Sequence, residues 1–151
     1  MNPTDQLSPH FRLHEFTDSD IAARYGIDNT PALADIESLR YLCAETLEPL
    51  RAIVGPITIT SGYRSERVNA LANGNPKSQH MRGEAADIRV PGMTPQQLQD
   101  VIRKHGIRID QCIREFDQWV HVSLSVCGPQ RGQFLIATLR DGDVHYTDAF
   151  P

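Results

Sequence analysis

Two histidines and one aspartate are the residues of this chain whose types and spacing best fit metal chemistry. His80 and Asp87 lie seven positions apart in the stretch 78–87, and His121 follows in the segment 119–123. Two imidazoles and one carboxylate make a three-ligand zinc set, in which the fourth position stays open for water, as in catalytic rather than structural zinc sites. These residue types therefore predict a catalytic zinc site.

The spacing alone also permits a structural interpretation. A histidine on a half-buried strand is usually packed or hydrogen-bonded, and an aspartate close to a glycine is usually a turn residue. The combination is harder to explain in this way, because the same elements also supply charged and polar residues that a metal site could use. These are Arg64, Ser78, Glu115 and Asp117. The residue pattern by itself leaves both interpretations open.

Length and composition predict one globular domain over residues 1–151. The net charge of -4 argues against a nucleic-acid partner, which would need a basic surface. The three cysteines are widely spaced and form no CxxC pair, so we expect free thiols, with one of them exposed at most. We also expect a monomer.

The first residues carry neither the basic segment nor the apolar segment of a signal peptide. No apolar run approaches the length that is needed to span a bilayer. The sequence therefore predicts synthesis in the cytoplasm, and any action outside the cell would need release by another route, as for a phage- or prophage-encoded protein.

Alternating helical and strand patterns must position these residues. Helices are predicted at 18–25, 31–54, 65–72 and 95–105, with an apolar stripe from Leu33 to Ile53 and a kink at Pro49 in the second helix. A short strand or extended arm is predicted at 8–17, strands at 57–60, 84–90, 107–115 and 119–126, and an edge strand at 133–140 before a hairpin turn at 141–142.

This layout brings the three candidate ligands from separate segments. His80 is expected on a loop, Asp87 on a strand and His121 on a neighbouring strand whose other face is apolar, so its imidazole points into a cleft. Gly83 allows the chain to reverse between the first two ligands.

Three motifs, in the correct order, resemble those of the M15 zinc peptidases, the D-alanyl-D-alanine carboxypeptidases and endolysin-type peptidases of bacterial cell walls. They are Ser61–Ser65, the element Ser78-x-His80-x6-Asp87 and the triplet 119–121. They cover about residues 57–125, and the likeness is to the compact carboxypeptidase-like branch of bacteria and phages.

The resemblance implies an α+β fold shared with Hedgehog signalling domains, with helices packed against a small central antiparallel sheet. It implies one Zn²⁺ bound by His80, Asp87 and His121, and a peptidoglycan stem peptide as substrate. Arg64 would hold a substrate carboxylate or polarise the scissile carbonyl. Ser78 would hydrogen-bond near the substrate or orient the His80 loop, and Tyr63 and Trp119 are the other implied substrate contacts.

One departure concerns the general base. Several family members carry an acidic residue three positions before the last histidine, where this chain has Gln118. A second family pattern, E-x5-H, matches Glu115 and His121, so Glu115 is the first candidate and Asp117 the second.

The residues and their resemblance to the M15 peptidases therefore predict a zinc-dependent hydrolase of stem peptides, of the D-Ala-D-Ala carboxypeptidase or endopeptidase type. The alternative is a non-catalytic zinc-containing module that binds cell-wall peptide or a protein partner, an interpretation that Gln118 favours. A metal-free structural domain is the third hypothesis.

Overall fold

A computed structural model describes residues 5–151, which form helices packed on a six-stranded sheet. The first half of the chain contains β1 (Gln6–Ser8), β2 (Phe11–Arg12), α1 (Leu13–Thr17), α2 (Asp20–Tyr25), α3 (Leu33–Leu42), a π-helical turn (Cys43–Leu47), α4 (Glu48–Val54), β3 (Thr58–Ser61) and α5 (Glu66–Leu71). The second half contains a 3₁₀ turn (Gln79–Arg82), β4 (Ala85–Arg89), α6 (Pro95–Lys104), β5 (Gln111–Glu115), β6 (Trp119–Ser123), β7 (Gln133–Arg140) and β8 (Asp143–Asp148). The α+β fold class is confirmed, and the likeness to Hedgehog domains stays a prediction.

The sheet is mixed, so the prediction of an antiparallel sheet is wrong for one pair of strands. Its order is β3-β4-β6-β5-β7-β8, and β5 pairs with β7 in parallel. The cause is the connection 124–132, which carries the chain from β6 past β5 to the outer side of that strand. The prediction that strand 133–140 lies at the edge of the sheet is also wrong, because β8 pairs with it after the predicted turn at 141–142.

The N-terminal arm is only partly extended. The expectation of a strand or arm over 8–17 is wrong from Leu13 onward, where α1 begins. Leu13 and Phe16 are three positions apart and both buried, which is a helical spacing. The backbone N–H of Arg12 donates to the Glu15 carboxylate at 2.7 Å, so the first turn of this helix is capped.

The long second helix is confirmed in its interior but differs at its ends. Leu33 is 73% exposed and Ile53 is 43% exposed, so the apolar stripe is shorter than predicted. Pro49 does not break the helix, because the π-helical turn lies just before it and the N–H of Glu48 donates to the carbonyl of Cys43, five residues back. A wider turn of this kind accommodates the missing N–H of a proline.

The core lies between one face of the sheet and the helices. Ile88, Val120 and Val122 from the central strands are buried against residues of α3 and α6, including Leu39 and Ile102. The opposite face of the same strands carries Asp87 and His121, as the alternation of side chains requires.

The cysteines are free, as expected, with Cys43 and Cys112 buried and Cys127 exposed. Between residues 5 and 151, none of the helices has both the length and the apolar composition needed to cross a bilayer.

Candidate metal centre

His80, Asp87 and His121 converge on one point. Asp87 on β4 and His121 on β6 are directly paired across the sheet, so their side chains share a face. His80 reaches the same point from the 3₁₀ turn. The Oδ1 atom of Asp87 lies 3.3 Å from Nε2 of His80 and 3.1 Å from Nδ1 of His121. One potential ligand atom from each residue lies within 4.8 Å of the others.

This arrangement fits a zinc ion. Ligand atoms that surround a zinc ion tetrahedrally at about 2.1 Å are about 3.4 Å from one another. The distances from Oδ1 of Asp87 to the two histidine nitrogens, 3.3 Å and 3.1 Å, are close to this value. The Nδ1 atom of His80 lies 2.7 Å from the carbonyl of Gly62, and a carbonyl can only accept, so Nδ1 is the donor and Nε2 offers its lone pair to the centre. The trio could therefore bind a metal ion.

The turn that carries His80 is fixed from both ends. The hydroxyl of Ser78 accepts a hydrogen bond from the backbone N–H of His80 at 3.2 Å. At the other end Gly83 has a φ of 68°, and a Cβ atom there would lie 2.2 Å from the carbonyl oxygen of Asp35 in α3. The chain therefore reverses at Gly83 as expected, and glycine is also needed because the turn sits directly against a helix backbone.

The charges of the three residues are set by burial and by each other. Burial alone would raise the pKa of Asp87, but the adjacent His80 and His121 hold it far below its usual range. Burial lowers the pKa of His80. Burial opposes the charge on His121 as well, yet the hydrogen bond that its Nδ1–H donates to the Asp87 carboxylate raises its pKa. An ionised carboxylate and a neutral imidazole are the forms that zinc needs, and binding would displace the proton of His121.

Arg64 lies against the second oxygen of Asp87. Its Nη2 atom is 3.3 Å from Oδ2 of Asp87, its Nε donates to the Ser61 hydroxyl at 3.1 Å, and its Nη1 donates to the Asn69 side chain at 3.4 Å. These contacts hold the guanidinium at the side of the centre. Ser61 and Asn69 are therefore positioning residues; the first opens one of the three motifs but was given no role there, and no motif indicated the second.

Glu115 lies beside the centre on β5. Its Oε1 atom is 3.7 Å from Nδ1 of His121, and its side chain is 19% exposed. Burial, with a smaller contribution from the Asp87 carboxylate, raises the pKa of Glu115 to about 7. A carboxyl group with such a pKa can both accept and return a proton near neutral pH.

Asp117 is placed differently. It lies in the turn between β5 and β6 with a φ of 52°, its side chain is 77% exposed, and its carboxylate is 3.3 Å from Nε of Arg114. Gln118 is exposed in the same turn, and its backbone carbonyl accepts a hydrogen bond from Nε of Arg89 at 2.7 Å. The structure thus brings Glu115, and not Asp117, to the three potential ligands.

A cleft of about 1020 Å³ opens over the centre. Arg64, Ser78, Glu115 and Trp119 line it together with the three potential ligands. The indole nitrogen of Trp119 is buried, and its N–H lies close enough to the paired Glu115 carboxyl to lower the pKa of that group against the larger effect of burial. Tyr63 does not line this cleft; it lines a separate groove along β3.

The cleft also contains residues to which the sequence analysis gave no function, namely Asp110, Arg131, Val144 and Tyr146. Arg131 is held by the buried Asp110, with Nη2 and Oδ2 2.7 Å apart. No motif indicated them, because the side of the cleft on which they lie depends on how β5, β7 and β8 pair.

No curated protein matches the chain. The Peptidase M15 family model matches residues 9–123, well over half of the chain. The matched segment contains the three potential metal ligands, Arg64 and Glu115. M15 peptidases depend on zinc, which agrees with the donor set of the centre. The chain therefore belongs to the M15 peptidase family.

Proposed function

We propose that this protein hydrolyses a peptide bond in peptidoglycan stem peptides, as a D-Ala-D-Ala carboxypeptidase or endopeptidase. One observation carries the proposal: His80, Asp87 and His121 meet at the base of an open cleft, with the Glu115 carboxylate 3.7 Å from His121. Membership of the M15 family supports a peptide substrate and metal-dependent hydrolysis.

His80, Asp87 and His121 would hold one Zn²⁺, which when bound supplies the Lewis acidity that activates water and polarises a carbonyl. The protein contributes a buried set of ligands whose orientation is fixed before binding. The carbonyl of Gly62 fixes the ring of His80, and Arg64 fixes the carboxylate of Asp87. Such supporting contacts commonly alter metal affinity by about 10–100-fold.

Glu115 is the general base in this proposal. It takes a proton from the attacking water and later gives it to the leaving amine, a role that suits a carboxyl group with a pKa of about 7. Asp117, the second candidate, is less well placed, because its carboxylate is exposed at the hairpin turn and lies beside Arg114.

Arg64, Ser78 and Trp119 would contact the substrate. The Arg64 guanidinium lines the cleft and can stabilise the developing oxyanion or bind a substrate carboxylate, and loss of one such donor typically costs about 3–4 kcal/mol of barrier. The Ser78 hydroxyl accepts from His80 and keeps its own proton for a substrate. The indole N–H of Trp119, next to the Glu115 carboxylate, is a second donor in the cleft.

The alternative function is a zinc-containing module that binds cell-wall peptide or a protein partner without cleaving it. Gln118, at the position where several family members carry an acidic base, favours this alternative. The position of Glu115 argues against this alternative, because its carboxylate lies beside the centre and can replace the acidic residue that is absent at position 118.

Mass spectrometry of muropeptides after digestion of purified peptidoglycan separates the two functions. We expect the zinc-loaded protein to release defined peptide fragments, whose masses identify the bond that is cut, and a chelator to stop the release. Zinc bound at one equivalent without any product after prolonged incubation would overturn the proposal of hydrolysis and support the binding module.

A further inference from the structure

The sheet face that carries Asp87 and His121 continues beyond the centre towards β8. Two rows of directly paired residues cross this face. The first row is Asp87, His121, Ile113 and Leu135. The second row is Trp119, Glu115, Ala137 and Tyr146. Paired residues project to the same side of a sheet, so the potential ligands and Glu115 share one surface with side chains of β7 and β8.

This continuation forms an apolar surface, which we call the C-terminal shelf: Ile113, Leu135, Val144 and Tyr146, all of which line the cleft. Val144 is 44% exposed and Tyr146 is 57% exposed. Large apolar side chains that stay exposed beside a polar site are a common feature of binding surfaces. Three of the four residues come from β7 and β8, which lie outside the segment matched by the family model.

Tyr146 is oriented towards the catalytic side of the cleft. Only Ala137, a small and buried residue, separates it from Glu115 in their row. Burial raises the pKa of the Tyr146 hydroxyl, and the charge of Glu115 raises it further, which places the phenol within electrostatic reach of that carboxylate. The ring can therefore contact a molecule that extends from the centre across β5 and β7 to β8.

The size of the shelf indicates what it can bind. Three strand spacings of about 4.8 Å separate β6 from β8, a distance of about 14 Å. An extended peptide advances about 3.4 Å per residue, so about four residues span this distance. A dipeptide bound at the centre would not reach Tyr146, whereas a longer peptide would.

We propose that the C-terminal shelf binds the substrate peptide on one side of the scissile bond, and that Tyr146 is its main contact. This inference rests on the proposed function and deepens it, because it makes a peptide of several residues the preferred substrate over a dipeptide. Continuity with the centre in one cleft supports a substrate as the occupant. A tyrosine offers a large contact area at little entropic cost.

The experiment compares two ligands of the zinc-loaded protein. One is a stem pentapeptide that ends in D-Ala-D-Ala, and the other is N-acetyl-D-Ala-D-Ala. Binding is measured by isothermal titration calorimetry in the Glu115→Gln background, which prevents turnover, with and without Tyr146→Ala. Thr147→Ala is the matched control, because Thr147 is an exposed neighbour on the same strand and faces the other side of the sheet.

We expect Tyr146→Ala to weaken pentapeptide binding by about tenfold, to leave dipeptide binding unchanged, and Thr147→Ala to change neither. The proposal is overturned if Tyr146→Ala leaves pentapeptide affinity intact, or if it weakens both ligands equally. If the wild-type protein cleaves neither peptide while Tyr146→Ala still selectively weakens the pentapeptide, hydrolysis fails as the function and the shelf stands.

Discussion

Replacing Gly83 by alanine tests how the turn that holds His80 is positioned. Gly83 has a φ of 68°, and this left-handed backbone conformation costs a residue with a side chain about 1–2 kcal/mol. A Cβ atom would also lie 2.2 Å from the carbonyl oxygen of Asp35. That oxygen belongs to a helix packed in the core, so the overlap adds about 1–3 kcal/mol of strain. We expect a total destabilisation of about 2–5 kcal/mol.

Gly92→Ala is the matched control. Gly92 has a φ of 83°, but a Cβ atom there meets nothing within 4 Å, so only the backbone strain of about 1–2 kcal/mol remains. Urea unfolding of the two zinc-free variants beside the wild type measures both losses in free energy. Their difference isolates the contact between the turn and α3.

Zinc affinity supplies a second readout of the same substitution. His80 and Gly83 share one short turn, so a shift of the turn away from α3 moves Nε2 of His80 relative to Asp87. We expect Gly83→Ala to weaken zinc binding by about 10–100-fold and Gly92→Ala to leave it unchanged, as measured by competition with a chromogenic chelator. Equal destabilisation of the two variants, together with wild-type zinc affinity in both, would refute the reasoning.

Three further predictions concern the centre and its surroundings. His121→Ala should abolish zinc binding, as elemental analysis after dialysis would show, and retention of one equivalent would contradict the ligand assignment. Glu115→Gln should keep zinc but lower kcat by about 10²–10⁴-fold, while Asp117→Asn stays active; the reverse result would make Asp117 the base. The hydrogen bonds of Arg131 hold the pKa of Asp110 below its usual range, so this carboxylate stabilises the fold above about pH 4 and less as the pH falls through its lowered folded-state pKa. In urea unfolding, Asp110→Asn should therefore destabilise the protein more at pH 7 than at pH 3, and an equal loss at both would contradict this.

Motifs that depend on local sequence could be predicted, and pairings between distant segments could not. The strand with Asp87 and the strand with His121 follow from alternating side chains, which assign each ligand to one face of its own strand. The register that pairs Asp87 with His121 and puts both on the same face of the sheet became apparent only in the structure. The partner of His80, in contrast, is a backbone carbonyl at Gly62, which no side-chain pattern can reveal.

The general base shows the same limit. Glu115 and Asp117 are two positions apart, and the sequence alone offers both. The turn decides between them, because Phe116 and Asp117 both adopt positive φ and the Asp117 side chain projects into solvent beside Arg114. The misplacement of strand 133–140 at the edge has a different origin: every residue of segment 143–148 is exposed, so no buried face indicated the strand that pairs with it.

The parallel pairing of β5 with β7 means that the segment matched by the family model does not contain the complete sheet. A chain shortened at residue 123 would leave the outer side of β5 without its hydrogen-bonding partner and would remove Arg131 from Asp110. Open strand edges invite self-association. In the 151-residue chain the open edge on this side of the sheet is β8. Aspartates at both of its ends, Asp143 and Asp148, discourage a second molecule from adding a strand there.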